Sequence, residues 1–324
     1  MPTIAIDTHS GTDSGVRIAV RAAAKVSMTT SIDVLVVGSM QSIEEVLSQT
    51  SYNPECLRIR GSENPSENLR VTMELVASGE ADGMVTTVDP TQVHGVSLEG
   101  LRLIPGVNRA PMAALIPTAP RPGNRDPFAL VLDVSGQQDC DAQALVTWAR
   151  MGTAYASRIS RVEAPTVGLL STDEDPLSGP STVVEAHQIL SADARIRFVG
   201  NITGVDIPRG AADVVVCNGF VGQVMLGLLG GIGDALRDVA QGAWTQRPTW
   251  RLGLRLLGGA VMQFQELTEH KSYGGAPLLG YDHVVICALP HSGVNTLANA
   301  IKLAAKAHRD DVVSAVRTSV STSS

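Results

Sequence analysis

Short apolar runs alternate with longer amphipathic stretches along almost the whole chain. The short runs are rich in valine and isoleucine and are apolar on both faces, which is typical of buried strands, while the longer stretches repeat apolar residues at helical spacing. The pattern predicts strands at residues 3–6, 33–37, 83–87, 112–116, 128–133, 166–170, 196–199, 213–216 and 283–287. It predicts helices at residues 14–25, 66–78, 141–157, 181–190, 221–241 and 295–308.

Buried strands joined by helices indicate an α/β fold with a mostly parallel sheet covered on both faces. The chain has 324 residues, enough for one large domain or two smaller lobes, and the loop PTAPRPGNRD at 117–126 is the clearest junction. We expect residues 1–315 to form this unit. The polar residues 316–324, at the end of SAVRTSVSTSS, predict a disordered tail.

Composition narrows the classes of function. The net charge is −7 and aromatic residues make up 3 % of the chain, so neither a basic footprint nor a stacking platform for nucleic acid is present. No window of about 18 uninterrupted apolar residues predicts a membrane span. The first residues, MPTIAIDTHSG, lack the basic and apolar regions of a signal peptide.

The four cysteines are widely spaced and form no C-x-x-C motif. Cys217 and Cys287 end apolar runs, where buried free thiols are the simplest interpretation. We therefore expect a cytoplasmic protein without disulfides.

One stretch, ADVVVCNGFVGQVML at 212–226, predicts a strand, a glycine turn and the start of a helix. This arrangement can hold an anion or phosphate, or it can be only a turn that needs glycine. Two further glycine-rich loops, FVGN at 198–201 and SYGGAPLLG at 272–280, also flank predicted strands. Neither a G-x-G-x-x-G nor a Walker motif is present.

Few titratable side chains stand out near the strand ends. His9 could be a general base or a turn residue bonded to Asp13, and His291 could be catalytic or could cap the last helix. Residues 173–175 hold three carboxylates, which could bind a metal or form a solvated loop. No group of residues has metal-ligand spacing, so no metal or other cofactor is expected.

Residues 244–265, WTQRPTWRLGLRLLGGAVMQFQ, contain no acidic residue. At helical spacing the apolar residues share one face, and an arginine stripe lies beside it. The pattern favours either a basic amphipathic helix on an anionic membrane surface or an ordinary arm or dimer helix with solvated arginines.

The glycine-rich loops at the predicted strand ends, in their order along the chain, resemble those of the bacterial phosphate acyltransferase (PlsX) family of phospholipid synthesis. IAID at 4–7, LDVSGQQDC at 132–140 and MGTAYA at 151–156 are similar to the family's first strand, middle strand and following helix. FVGN at 198–201, ADVVVCNGFVGQ at 212–223 and YGGAPLLG at 273–280 are the most specific motifs.

The resemblance implies a three-layer α/β/α sandwich related to phosphotransacetylases and a homodimer with a protruding helical tip, here residues 241–270. It also implies acyl transfer from acyl carrier protein to inorganic phosphate. The resemblance further implies that the tip makes peripheral contact with the inner face of the membrane. The residues implied in this contact are Trp250, Arg251, Leu254, Arg255 and Leu257.

Several polar positions depart from the family's pattern. Asn218, Gln223, Gly227 and Gly230 stand where relatives have Asp, Asn, Lys and Glu, and Thr203 and Val205 replace Glu and Arg. Thr8-His9-Ser10-Gly11-Thr12 replaces Ala-Met-Gly-Gly-Asp. Since a lost cation no longer neutralises phosphate, either the acceptor has changed or catalysis has been lost.

We therefore expect an acyltransferase that takes a carrier-protein or coenzyme A thioester, with His9 or His291 as acid or base and Asn218 in the catalytic group. The expected substrate-binding residues are Asp7, Gly200, Asn201, Gly219, Phe220, Gly222, Gln223, Tyr273, Gly274, Gly275 and Ser292. The alternatives are a non-catalytic dimer that binds carrier protein or membrane, and a phosphotransacetylase-type enzyme for short acyl-CoA.

Overall fold

A computed structural model describes most of the chain. The described residues are 1–8, 13–62, 64–89, 92–93, 95–96, 100–119, 127–137, 140–246, 274–288 and 292–321.

The first of two sheets has six strands in the order β10-β11-β4-β1-β2-β3. Every neighbouring pair is parallel except β10 and β11, which are antiparallel. Its strands are β1 (Thr3–Asp7), β2 (Asp33–Gly38), β3 (Leu57–Gly61), β4 (Gly83–Thr86), β10 (Ala276–Pro277) and β11 (Val284–Cys287).

The second sheet has five strands in the order β5-β6-β9-β7-β8, and only the β5–β6 pair is antiparallel. Its strands are β5 (Ala113–Pro117), β6 (Phe128–Leu132), β7 (Thr166–Leu170), β8 (Arg197–Ile202) and β9 (Val214–Val216).

Eight α-helices are present in the described part of the chain. They are α1 (Asp13–Thr29), α2 (Met40–Leu47), α3 (Asn68–Ala77), α4 (Ala142–Tyr155), α5 (Ser181–Ala192), α6 (Gly219–Gln246), α7 (Val294–Arg309) and α8 (Val312–Val320).

One apolar core joins the two sheets. Ile4 of β1, Leu132 of β6, Trp148 of α4 and Ile301 of α7 belong to the same buried cluster. Because strands and helices from both sheets share this cluster, burial of apolar surface holds the two sheets together.

The α/β class and the mostly parallel sheets confirm the prediction, and all nine predicted strands and six predicted helices are present with small shifts of their ends. Strands β3 and β10 and helices α2 and α8 were not predicted. Of the predicted helical tip at 241–270, residues up to Gln246 continue α6, and the remainder lies outside the described residues.

The prediction of a disordered tail at 316–324 is wrong as far as Val320. Val312, Val316 and Val320 recur every four residues along α8 and are buried in the main core. Their burial stabilises a helix whose outer face carries the serines and threonines. Residues 322–324 lie outside the described residues.

Replacing Gly152 of α4 by alanine should destabilise the protein by about 1–3 kcal/mol because of overpacking. A Cβ at this position would lie 2.5 Å from Leu132 Cδ1 and 2.6 Å from Val214 Cγ1. The control is Gly230→Ala in α6, where a Cβ would meet no atom within 4 Å; there alanine should stabilise by about 0.5–1 kcal/mol. Urea unfolding of both variants measures the difference, and equal midpoints would contradict the tight packing of Gly152.

Candidate active site

Parallel pairing brings polar residues together at the carboxyl edge of the first sheet. Ile6 of β1 pairs with Val85 of β4, so Asp7 and Thr86 end neighbouring strands. Cys287 of β11 pairs with Thr86 on the other side. The carboxyl edge of a parallel sheet is where α/β proteins bind ligands, which supports the prediction for Asp7.

Thr8 is anchored tightly at the end of β1. Its hydroxyl donates to the Val37 carbonyl oxygen at 3.0 Å and accepts from Asn68 Nδ2 at 3.2 Å. A Cβ on Gly38 would lie 1.9 Å from Thr8 Oγ1, so only glycine fits at the end of β2. The chain therefore leaves β1 toward residues 9–12 from a fixed, buried point.

In the second sheet, the turn between β9 and α6 is a capped helix start. The Asn218 side chain accepts from the Val221 amide through Oδ1 at 2.8 Å. The Phe220 amide donates to the Gln137 carbonyl oxygen at 3.1 Å, and the Gly222 amide donates to that of Asn218 at 3.0 Å. These three amides already have partners, so they are not open to hold the anion or phosphate for which the sequence pattern is suited.

The most deeply buried acid of this region, Asp133, was not among the predicted site residues. It follows β6 directly and is fully buried. Its Oδ1 accepts from the Met112 and Ser135 amides, each at 2.8 Å, and its Oδ2 accepts from Ser135 Oγ at 2.6 Å. Burial raises the pKa of the Asp133 carboxyl above its ordinary value, and the bonds from Ser135 and Met112 oppose part of that rise.

Two glycines let α6 approach Asp133. A Cβ on Gly219 would lie 2.7 Å from Asp133 Oδ2, and one on Gly222 would lie 2.0 Å from its carbonyl oxygen. Gln223, the residue after Gly222, is exposed. A Cβ on Gly136 would lie 3.9 Å from its Cγ. The structure thus brings together the predicted residues Asn218, Gly219, Phe220, Gly222 and Gln223 with the unpredicted 133–137 turn.

Gly200 and Asn201 lie on β8 and have structural roles there. The register between β7 and β8 shifts at this point, and Gly200 has φ +96°, which glycine adopts without strain. Asn201 Oδ1 lies 2.9 Å from His187 Nδ1, and its Nδ2 donates to the Asp175 carbonyl oxygen at 2.8 Å. Asn201 therefore ties α5 and the loop after β7 to β8, and a role in substrate binding stays a prediction.

Gly274 and Gly275 are close-packing positions before β10. A Cβ on Gly274 would lie 2.6 Å from the Asn299 carbonyl carbon in α7, and one on Gly275 would lie 2.9 Å from the Cys287 carbonyl oxygen. Ser292, which precedes α7, is buried. Their predicted contact with substrate stays a prediction.

Neither buried thiol is a nucleophile at neutral pH. Burial, and after it the carboxylates of Asp7 and Asp89, raise the pKa of Cys287 to about 12. Burial and the nearby Asp133 also raise the pKa of Cys217 well above its ordinary value. Since the thiolate is the reactive form, a covalent cysteine intermediate at these positions is disfavoured.

Several predicted residues lie outside the described residues: His9, Tyr273, His291 and the membrane-contact set Trp250, Arg251, Leu254, Arg255 and Leu257. Within the described ranges, no group of three His, Cys, Asp or Glu side chains is arranged to hold a metal ion. No described helix is long and apolar enough to cross a bilayer.

A cavity of about 260 Å³ lies at the opposite, amino edge of the first sheet. Asp82, Asp282, His283, His308 and Asp311 contribute its polar lining. It contains none of the residues that the sequence or the carboxyl-edge geometry indicates, so we place the candidate active site at the carboxyl edges instead.

Comparison with known proteins finds relatives that match almost the whole chain. Residues 2–315 match the model of a family described as "Fatty acid synthesis protein". The chain is 30 % identical to a phosphate acyltransferase of Synechocystis sp., over 99 % of this chain and 94 % of that protein. It is 32 % identical to a phosphate acyltransferase of Desulfitobacterium hafniense (strain Y51), over 94 % of this chain and 93 % of that protein.

Among solved structures, a phosphotransacetylase from Streptococcus pyogenes is similar with a TM-score of 0.65 and 14 % identity, covering 95 % of this chain and 94 % of that one. The EutD phosphotransacetylase from Staphylococcus aureus has a TM-score of 0.62 at 14 % identity and the same coverage. At this identity the likeness establishes the shared three-layer α/β/α fold.

Two substitutions test whether the Asn218 side chain stabilises the protein by capping α6. Asn218→Ala removes the acceptor for the Val221 amide and should lower stability by about 1 kcal/mol. Asn218→Asp keeps an acceptor at the helix start, so its thermal midpoint should stay close to wild type or rise. Thermal unfolding of both variants is the measurement; equal losses would contradict capping by Asn218.

Proposed function

Because the chain belongs to the phosphate acyltransferase family, we propose that this acyltransferase moves a fatty acyl group from a thioester to inorganic phosphate. The observation that carries the proposal is the match over residues 2–315, which spans the carboxyl edges of both sheets. In this reaction a phosphate oxygen attacks the thioester carbonyl carbon, the C–S bond breaks, and the thiol leaves with a proton. The products are an acyl phosphate and a free thiol.

We propose acyl carrier protein as the bearer of the thioester and coenzyme A as the alternative bearer. The raised pKa values of Cys217 and Cys287 favour direct attack by phosphate over a covalent cysteine step. His9 or His291 would then supply the acid or base, and Asn218 would supply a polar contact. Holding the two reactants together in the correct orientation can remove a large part of the barrier to such a direct transfer.

The identity of the acceptor depends most on the charged residues that are replaced in this chain. Gly227 stands on α6 where the family resemblance expects a lysine, and a Cβ there would meet no atom within 4 Å. If phosphate is the acceptor, a cation at this position would attract it. If another nucleophile is the acceptor, the added cation would bring no benefit.

Release of carrier thiol from acyl carrier protein thioesters should depend on phosphate, and acyl phosphate should be found by mass spectrometry. Gly227→Lys should lower the KM for phosphate severalfold, while Gly227→Ala serves as the uncharged control. Because Gly227 lies on the same exposed side of α6 as Phe220 and Val224, the oligomeric mass of both variants is measured together with the kinetics. Coenzyme A thioesters of short and long chains, run in parallel, distinguish the bearer and the phosphotransacetylase-type alternative.

The replaced charges also favour a second candidate, a non-catalytic dimer that binds carrier protein. It predicts binding of the acylated carrier with an unchanged thioester, whatever acceptor is added. Wild-type protein that binds the carrier but releases no thiol with phosphate, amines, hydroxyl compounds or water would overturn the acyl-transfer proposal in favour of this one.

A homodimer is part of the proposal, and α6 supplies its support. Phe220, Val224, Leu228 and Ile232 recur every four residues along α6 and are 47 % to 64 % exposed. The opposite face, with Met225 and Leu229, packs against the core of the second sheet. A contiguous exposed apolar stripe of this kind is typical of a protein–protein interface, and we propose that a second copy covers it.

Leu228→Glu should convert the dimer to monomer because it buries a charge in the stripe. The matched control is Leu177→Glu, since Leu177 is 75 % exposed on the loop after β7 and is not part of α6. Light scattering coupled to size-exclusion chromatography measures the mass of each. A dimeric Leu228→Glu variant would place the interface elsewhere.

Peripheral membrane contact through Trp250, Arg251, Leu254, Arg255 and Leu257 stays a proposal, as does a cytoplasmic location at the inner face of the membrane. Its support is the basic amphipathic pattern, which follows directly after α6 in the chain.

A further inference from the structure

We propose that Asp133 is a positioning residue whose buried carboxylate holds the 133–137 turn against the start of α6 and so places Asn218 and Gln223. The inference rests on the proposed function, because it assigns a task at the same candidate site. Asp133 is fully buried, so it acts through its neighbours and touches no substrate.

The first argument is that the carboxylate organises the turn that follows it. Three donors converge on Asp133: the Met112 amide, the Ser135 amide and the Ser135 hydroxyl. Hydrogen bonds to a charged acceptor are about twice as strong as neutral ones. The carboxylate thus fixes the backbone at Ser135 and aligns the next two residues.

The second argument is that this turn is bonded to the start of α6. The Gly136 amide donates to the Gly219 carbonyl oxygen at 3.2 Å, and the Phe220 amide donates to that of Gln137 at 3.1 Å. A shift of the 133–137 turn would therefore move Gly219 and Phe220 with it. Asn218 and Gln223 flank this segment and carry the polar side chains of the candidate site.

The third argument is that Asp133 also connects the two sheets. Met112, which donates to it, forms an antiparallel bridge with Leu278. The Leu278 amide in turn donates to the carbonyl oxygen of Val285 in β11 at 2.9 Å. One carboxylate therefore links the start of α6 to the segment that follows Gly274 and Gly275.

The negative charge of Asp133 lies beside the amino end of α6. Its Oδ2 lies against Gly219, at the amino end of a 28-residue helix, where the helix dipole stabilises a negative charge. An uncharged amide in the same volume would keep one acceptor but turn a donor toward the helix start. The geometry therefore requires a carboxylate and not only a hydrogen-bonding side chain.

Asp213 offers a closely matched control on the same sheet. Its Oδ2 accepts from the Thr166 amide at 2.8 Å and from Thr166 Oγ1 at 2.6 Å, as Asp133 accepts from Ser135. It precedes β9, however, and so lies at the amino edge, across the sheet from the candidate site. Asp133→Asn and Asp213→Asn make the same chemical change at opposite edges.

The test compares kinetics of acyl transfer to phosphate with stability for both variants. Asp133→Asn should lower kcat by about tenfold to a hundredfold with KM within about twofold, because misplaced groups lose rate more than binding. Asp213→Asn should lose similar thermal stability and keep kcat within about twofold of wild type. Ser135→Ala, which keeps the charge and loses one donor, should fall between wild type and Asp133→Asn.

A readout independent of turnover is hydrogen exchange of the segment 218–223. Asp133→Asn should speed exchange of the Phe220 amide by about tenfold, while Asp213→Asn should not change it. Equal effects of the two variants on kcat, or unchanged exchange at 218–223 in Asp133→Asn, would overturn the positioning role. If wild-type protein transfers no acyl group, the proposed function fails while the exchange result still decides the role of Asp133.

Discussion

Parallel strand pairing is the constraint on which the rest of the molecule depends. It places the ends of β1, β4 and β11 on one edge of the first sheet, and the ends of β6, β7 and β9 on one edge of the second. Residues distant in sequence therefore meet: Asp133 and Gly219 are neighbours because Leu132 pairs with Val216. The shared core then holds the two edges in a common frame.

Within that frame, close packing and electrostatics have separate tasks. Glycines at the start of α6 permit helix and turn to touch, and a buried carboxylate lies where the helix dipole favours it. The thiols at the strand ends are kept protonated by burial and neighbouring carboxylates. A covalent intermediate on Cys217 or Cys287 is therefore disfavoured.

Strands with continuous apolar runs could be predicted from the sequence, because burial on both faces leaves a clear signal, as in β9. Strand β3 was missed because its sequence, LRIRG, exposes Arg58 and Arg60 at the edge of the sheet. Helix α8 was missed because its serines and threonines make the segment polar on average, although the buried valines recur at four-residue spacing. In both cases the tertiary contact, and not local propensity, decides the structure.

At the site, the glycine turn could be predicted, but its hydrogen bonding could not. The Phe220 amide is bonded to Gln137, more than eighty positions earlier in the chain, and no local pattern reveals that pairing. Asp133 had a usable signal, an acidic residue directly after the buried run FALVL and before a serine-glycine turn. Its full burial, which sets its importance, depends on α6 lying above it.

The contact between Gly222 and the Asp133 carbonyl oxygen also bears on how this protein can diverge. The inner side of α6 admits no added atom at Gly219 or Gly222, whereas Gln223 is exposed and a Cβ at Gly227 or Gly230 would meet nothing. Steric clashes therefore exclude larger side chains at the inner positions. Residues at the outer positions can be substituted one at a time without unfolding the helix. Side chains on the exposed side of α6 can therefore change while the close packing of its inner side preserves the fold.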